Sequence, residues 1–432
     1  MSADSKQQSL SRRAFVGGAA GAACMIGVPA SAARTYRANE KLRIGVIGVA
    51  NRGWANFEGV MGEEIRAVCD VDDSYLYSVA QQFPDAAQFR DFRKLLEMPG
   101  LDAVVVSTPD HTHAPATAAA LRAGLHVYCE KPLTHTVQEA RIVAELAAKH
   151  KRATQMGTQI HAEPNYRRVV ELVQSGAVGA VREVHVWCGG AYSGGALPTD
   201  QPPVPVGLDW DLWLGPAQPI AYHPRFAPFV WRSWWAFGNG RLGDMACHHM
   251  DLSFWALGLR HPSTVEAQGP PVDAYSCPEW LEVRYAFPAI NKRPAVELTW
   301  YDGDRRPAKL PEPYRSEWGA GTLFVGDKGM LLADYGRRIL LPEKQFEGYQ
   351  APAPTIPDSV GHHQEWINAC KTGSLTTCNF DYAGALTEAV LLGCAAYRAG
   401  AKLEWDAAKL AARGCPAADK LIRGAHRRGW EV

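Results

Sequence analysis

The chain has 432 residues, with 45 Lys+Arg balanced by 45 Asp+Glu. That length fills two domain cores, and zero formal charge gives no electrostatic case for a nucleic-acid or anionic-membrane partner. The 10 Cys include no C-x-x-C pair. Cys69 and Cys129 close apolar segments and Cys247 falls in a predicted helix, the pattern of buried free thiols rather than a disulfide framework.

The first segment reads as an address. Ser11-Arg12-Arg13-Ala14-Phe15 is a twin-arginine sequence, followed by a Gly/Ala-rich apolar run to Val28 and the small-residue site Ala30-Ser31-Ala32. Residues 1–33 are therefore expected to be a twin-arginine signal peptide that sends the protein to the periplasm or otherwise exports it. The run is too short and too rich in Gly to span a membrane, so none is expected in the mature form. Cys24 lacks the Leu or Val that a lipobox places before it.

Residues 42–47 form a continuous aliphatic run, as in a strand buried on both faces. A turn with Gly48, Ala50 and Gly53 follows, and a helix opens near Asn51. This is the spacing of the dinucleotide fingerprint G-x-G-x-x-G, with alanine second. There, backbone N–H groups and a helix N-terminus face a pyrophosphate. Residues 65–69 make the next apolar strand, ending at Asp70, about twenty residues past the turn, where an acid binds ribose hydroxyls. A carboxylate there favours NAD over NADP, with Arg52 nearby as a partial offset.

Helix and strand keep alternating: helix 74–83, strand 87–89, helix 92–98, strand 101–106, a helix through Ala123, strand 125–129, helix 136–149 and strand 153–156. Such a series builds a doubly wound parallel sheet, whose ligands sit at the carboxyl ends of the strands. Gly48, Asp70, Thr108 and Lys131 all fall at such ends. Pro132 holds Lys131 in an extended conformation that aims it outward.

Beyond Gly157 the pattern changes. A helix at 164–175 precedes an alternating strand at 181–188, an antiparallel signature. Residues 189–240 are loop-like and rich in Pro, Gly and Trp. A helix returns at 242–257, then strands at 280–287, 295–301, 322–325 and 330–334. After the Pro-rich stretch 351–357 come helices at 363–371 and 382–398 and a basic tail. The expected division is a Rossmann NAD(P)-binding domain at 34–156, a substrate and oligomerisation α+β domain at 157–358, and closing helices with the tail at 359–432.

Asp244 and His248 stand one turn apart on the 242–257 helix and share a face. Oxidising a secondary alcohol removes a hydride from carbon and a proton from oxygen, which calls for a base with a pKa near neutrality. His248 suits that role, Asp244 would fix its tautomer or contact substrate, and Lys131 would stabilise the developing alkoxide. In the Trp-rich loop, indoles offer faces to sugar C–H groups while Arg and Asp bind hydroxyls, although most of its tryptophans read as structural. The expected substrate contacts are His161, Tyr192, Arg232, Trp234 and His249.

Gly48-x-Ala50-x-x-Gly53, Thr108-Pro109-Asp110-x-x-His113, Glu130-Lys131-Pro132 and Asp244-x-x-x-His248 occur in this order in one chain. Together they resemble the Gfo/Idh/MocA family of glucose–fructose oxidoreductase and inositol dehydrogenase, from about Leu42 to the end. Ala50 in place of glycine and the long Trp-rich insertion depart from the family pattern. The resemblance implies a Rossmann domain followed by an α/β domain with an open, mainly antiparallel sheet that builds a homodimer or homotetramer. It implies a tightly held nicotinamide cofactor, a sugar, glycoside or cyclitol substrate, and Lys131, Asp244 and His248 as the catalytic trio. The expected cofactor contacts are Gly48, Ala50, Asn51, Arg52, Gly53, Asp70, Thr108, Pro109, His113, Glu130, Lys131 and Gln159.

Three alternatives compete with a dehydrogenase. An NAD-dependent glycosidase or lyase would oxidise, eliminate and re-reduce, with Tyr192, His161 or His249 as the extra acid/base group. A metal-dependent hydrolase would use His111, His113, His248, His249 and Asp251, but neither H-E-x-x-H nor a cysteine quartet is present and no metal is expected. A sugar-binding sensor would not need both Lys131 and His248.

Overall fold

A computed structural model describes Tyr36 and residues 40–432; the leader lies outside the described residues. The N-terminal half alternates strictly: β1 (Arg43–Ile47), α1 (Arg52–Val60), β2 (Glu64–Cys69), α2 (Asp73–Ala80), β3 (Ala87–Phe89), α3 (Phe92–Leu96), β4 (Ala103–Val106), α4 (Asp110–Arg122), β5 (His126–Cys129), α5 (Val137–His150) and β6 (Thr154–Met156). The strands pair in parallel in the order β3-β2-β1-β4-β5-β6. The aliphatic runs behave as continuous burial requires: every residue of β4 is buried. Side chains set the helix starts. Asp72 caps α2, Asp91 caps α3, and Thr136 with Glu139 forms a capping box on α5. Strand order reverses between β1 and β4, so the crevice opens where Gly48 and Ser107 leave the sheet.

The second half contains α6 (Pro164–Gln174), β7 (Val181–Cys188), α7 (Trp210–Leu214), α8 (Gly240–Leu257), β8 (Thr264–Gln268), β9 (Glu282–Phe287), β10 (Val296–Tyr301), α9 (Tyr314–Glu317), β11 (Ala320–Gly326), β12 (Gly329–Ala333), β13 (Arg338–Leu341), α10 (His362–Thr372), α11 (Phe380–Ala399), β14 (Leu403–Asp406), β15 (Ala411–Ala412) and α12 (Pro416–Arg423). Its nine strands run β13-β12-β11-β7-β10-β9-β8-β14-β15 and are antiparallel except at the parallel pair β7–β10. α8 packs on β7 and β11, and α11 on β8. On the opposite face Leu310 and Trp318 cover β7, whose Trp187 Nε1 donates to Trp318 O at 2.9 Å. That cover buries most of β7 despite its alternating sequence.

The closing segment serves both halves. α10 buries Trp366, Ile367 and Cys370 among β1, β2 and α1 residues, whereas α11 packs on α5 and α8. The basic tail, for which no element was expected, contributes β14 and β15 to the sheet edge and buries Ala418 and Ile422 of α12. These elements are short, and the tail's charge pattern hides two buried side chains. All nine described cysteines are free thiols and eight are buried. No helix among the described residues is long and apolar enough to cross a membrane.

Candidate active site

One cavity of about 390 Å³ lies along the carboxyl ends of the parallel strands. At one end is the glycine turn. Gly48 has φ +82°, and a Cβ there would stand 2.7 Å from Ser107 O; at Gly53 a Cβ would stand 2.2 Å from Gly48 O. Only glycine permits these approaches. Asn51 between them has φ 52°, a region asparagine tolerates. Ala50, Asn51 and Arg52 line the cavity. The carboxylate of Asp70 is held by backbone N–H groups, from Val49 at 3.0 Å and Asp72 at 3.2 Å, and burial pushes its pKa up to about 6.

Arg52, expected as a partial offset to Asp70, is turned towards Glu130. Its guanidinium donates to Glu130 Oε1 at 3.1 Å and to Asn56 Oδ1 at 3.2 Å. Glu130, expected to touch cofactor, lines the cavity but also collects Asn56 Nδ2 at 2.9 Å and Gln159 Nε2 at 2.8 Å. A Cβ on Gly157 would lie 2.4 Å from Glu130 Oε1, so that glycine makes room for the carboxylate. His113 has its ring nitrogens 2.8 Å from Thr108 O and from Pro132 O, which joins the turns bearing Thr108 and Lys131. Glu130, Gln159 and His113 thus hold the cavity wall in shape. Pro109 caps α4 and lines the cavity beside Thr108, whose Oγ1 is buried without a partner in the free protein. That orphaned hydroxyl and the glycine cradle fit a dinucleotide.

At the other end, Lys131 Nζ donates to Asp244 Oδ1 at 2.6 Å, and Arg232 Nε donates to the same oxygen at 2.9 Å. Burial would raise the Asp244 carboxyl, but the two adjacent cations outweigh it and hold it well below the usual carboxylate range. His248 lines the cavity beside Lys131. Burial, and then the Lys131 charge, keep its imidazole well below its ordinary pKa in the free protein, so it is neutral but not poised near neutrality as expected of the base. Asp244 makes no hydrogen bond to His248, so it does not fix the tautomer; it locks the two cations. The His248 backbone instead accepts Tyr166 OH at 3.1 Å, while its Nδ1 is buried without a partner. Asp110, to which the sequence assigned no role, is buried at the first turn of α4 against this cluster, with its pKa raised by burial to about 8.

Four expected substrate contacts lie outside the cavity lining. His249, next to His248 on α8, points about 100° away around the helix, and its Nε2 lies 3.0 Å from Tyr335 OH. His161 stacks on Trp255 at 4.1 Å with Nδ1 2.9 Å from Asp251 Oδ2. Trp234 is a core residue whose Nε1 donates to Arg225 O at 2.6 Å. Tyr192 lies against Arg241, 3.3 Å from OH to Nη1. Only Arg232 of the five lines the cavity.

The Trp-rich insertion forms the outer wall instead. Asp209 N donates to Val71 O at 2.9 Å and Asp73 N to Gly207 O at 3.1 Å, which ties the loop to the turn after β2. From there Leu212, Trp213, Tyr222, Phe229 and Trp231 line the cavity as far as Arg232. Trp430, from the basic tail, completes the wall, and Arg427 donates to Gly215 O at 2.7 Å and Asp211 O at 2.8 Å. Nothing in the local sequence around Trp430 signals that contact.

Residues 42–158 match the family model GFO_IDH_MocA, described as oxidoreductase family, NAD-binding Rossmann fold; residues 165–292 match its companion, the C-terminal alpha/beta domain. The chain belongs to this family. Inositol 2-dehydrogenase 1 of Saccharopolyspora erythraea is 36% identical over 150 residues, or 33% of this chain and 44% of that protein. The chain thus spans under half the length of this curated relative. GenD2 from gentamicin A biosynthesis, solved with NAD, superposes with TM-score 0.59 at 20% identity over 87% of this chain and 99% of that one. The myo-inositol 2-dehydrogenase of Lactobacillus plantarum gives TM-score 0.58 at 17% identity over 85% and 100%. At those identities the two structures speak for the Gfo/Idh/MocA fold alone.

Proposed function

We propose that this protein is an NAD-dependent oxidoreductase that moves a hydride between a bound nicotinamide and a hydroxyl-bearing carbon of a sugar, glycoside or cyclitol. The carrying observation is that Lys131, from the nucleotide-binding half, and His248, from α8, line the same cavity as the Gly48 turn. Asp70 favours NAD because its carboxylate repels a ribose phosphate. Gly48, Gly53 and Asp70 would hold the adenosine ribose and pyrophosphate, with Thr108 along the crevice. When bound there, the nicotinamide supplies the hydride acceptor.

His248, neutral at physiological pH, accepts the hydroxyl proton. Lys131, oriented by Asp244, holds the charge that develops on the oxygen, worth a few kcal/mol in a water-poor site. The aromatic wall of the insertion excludes solvent. Glycoside cleavage is not favoured, because Tyr192, His161 and His249, expected to supply its extra acid/base step, lie outside the cavity lining. Inositol dehydrogenase relatives support a cyclitol or sugar. The leader Arg12 and Arg13 support export of the folded protein, and the nine-stranded sheet supports self-association.

The test is mass spectrometry of the denatured purified protein for released nucleotide, then pyranosides and inositols added while nicotinamide absorbance is followed. Bound NAD and substrate-dependent reduction are expected. Absence of nucleotide together with absence of binding to added NAD or NADP would overturn the assignment.

A further inference from the structure

Arg232 is built differently from an ordinary wall residue. Its Nε is committed to Asp244 Oδ1 at 2.9 Å, and its guanidinium carbon lies 4.0 Å over the Trp231 ring. Those two contacts fix the plane of the group. Its terminal nitrogens donate to no group among the described residues, while the side chain, 29% exposed, lines the cavity beside Lys131. An arginine clamped at Nε and stacked on an indole presents a preorganised two-pronged donor at low entropic cost.

The charges around it are unbalanced. Lys131 and Arg232 share a single carboxylate oxygen of Asp244. The other nearby acid, Asp110, is buried and pushed up to about 8, so it carries its proton at neutral pH. His248 is neutral and the Arg52 charge is taken by Glu130. One positive charge therefore remains uncompensated at the catalytic end, and the fork of Arg232 carries it.

Resting on the oxidoreductase reading above, we propose that the substrate is a sugar acid whose carboxylate docks in two-pronged fashion on the terminal nitrogens of Arg232. Lys131 and His248 then address a ring hydroxyl of the same molecule. The carboxylate neutralises the excess charge and takes up the free donors, whereas a neutral hydroxymethyl group in its place would leave the guanidinium charge unpaired in a half-buried site.

The test uses matched pairs that differ at one carbon: methyl glucuronoside against methyl glucoside, and the galacto and manno equivalents. The NAD-loaded protein is assayed for hydride transfer, and nucleotide binding is measured separately by fluorescence quenching. The acid member of at least one pair is expected to exceed its neutral partner by about 30-fold in kcat/KM, the size of one charge-assisted hydrogen bond. Arg232→Gln is expected to collapse that ratio towards one, whatever loss both members share through the Asp244 contact, with NAD affinity kept. Equal or better use of the neutral members by the native protein overturns the proposal, as does a ratio that survives Arg232→Gln. Reaction with neutral sugars alone leaves the oxidoreductase reading standing, whereas failure to bind nucleotide removes that reading itself; bound nucleotide with no reaction on any pair counts against both.

Discussion

Asp244→Asn keeps the shape of the side chain and removes its charge. In the native protein one oxygen takes Lys131 Nζ at 2.6 Å and Arg232 Nε at 2.9 Å, with 8% of the Asp244 side chain and 10% of Lys131 exposed. Removing one partner of a buried ion pair costs about 3–5 kcal/mol. Water screens the partly exposed Arg232, so the expected loss at neutral pH lies at the low end, about 3 kcal/mol. The sign of the pH dependence follows from the depressed carboxyl. The folded state favours ionised Asp244, so its contribution is full above the unfolded carboxyl's pKa near about 4 and is lost as pH falls through the lower folded value. Urea unfolding followed by tryptophan fluorescence across a pH series measures the gap between native protein and variant. The gap is expected to be widest at neutral pH and to narrow below about pH 4. A neutral-pH gap under about 0.5 kcal/mol, or one that widens in acid, would refute the electrostatic account of this cluster.

Three further outcomes are expected. Gly53→Ala puts a Cβ 2.2 Å from Gly48 O, forcing the turn open by about 1 Å; isothermal titration should show NAD affinity down at least about tenfold with the far-UV spectrum unchanged, and unaltered affinity would mean the turn does not hold the nucleotide. His248→Ala should abolish hydride transfer while nucleotide stays bound. Because burial and Lys131 hold His248 well below its ordinary pKa, the native rate at saturating NAD should not decline as pH falls through about 6.5, and a decline there would contradict the neutral imidazole. Asp70, raised to about 6 by burial, accepts ribose hydroxyls best when ionised, so NAD should bind more weakly as pH drops through that value; the same pH dependence in Asp70→Asn would assign the titration elsewhere.

Local chemistry made much of the fold readable. The run at β1, the turn at Gly48 and Gly53, and the apolar segments ending at Asp70, Thr108 and Lys131 each declare a buried strand and a strand end by composition alone. Asp244 and His248 were paired by helical spacing, and both reach the site. Yet spacing could not say that Asp244 would bind Lys131 and Arg232 rather than His248. It also could not tell which of His248 and His249 faces the cavity, since only the packing of α8 against β7 and β11 fixes its rotation. Tyr192 and Trp234 look like sugar contacts in a Trp-rich loop, but the loop folds with Trp213, Phe229 and Trp231 towards the cavity and Trp234 into its own core.

The sequence by itself determined the parallel nucleotide-binding sheet, the glycine cradle and the Asp244–His248 pairing, because each depends on residues close in the chain or on a repeating period; Lys131 joined that pair only through the family resemblance. Tertiary structure alone decided the outer wall, the sharing of one carboxylate by two cations, and the contribution of Trp430 from the far end of the chain. Apart from the Arg232–Asp244 contact, which spans 12 residues, those features join segments more than 100 residues apart, and such partners are chosen by packing and charge balance, which leave no periodic trace in a single sequence.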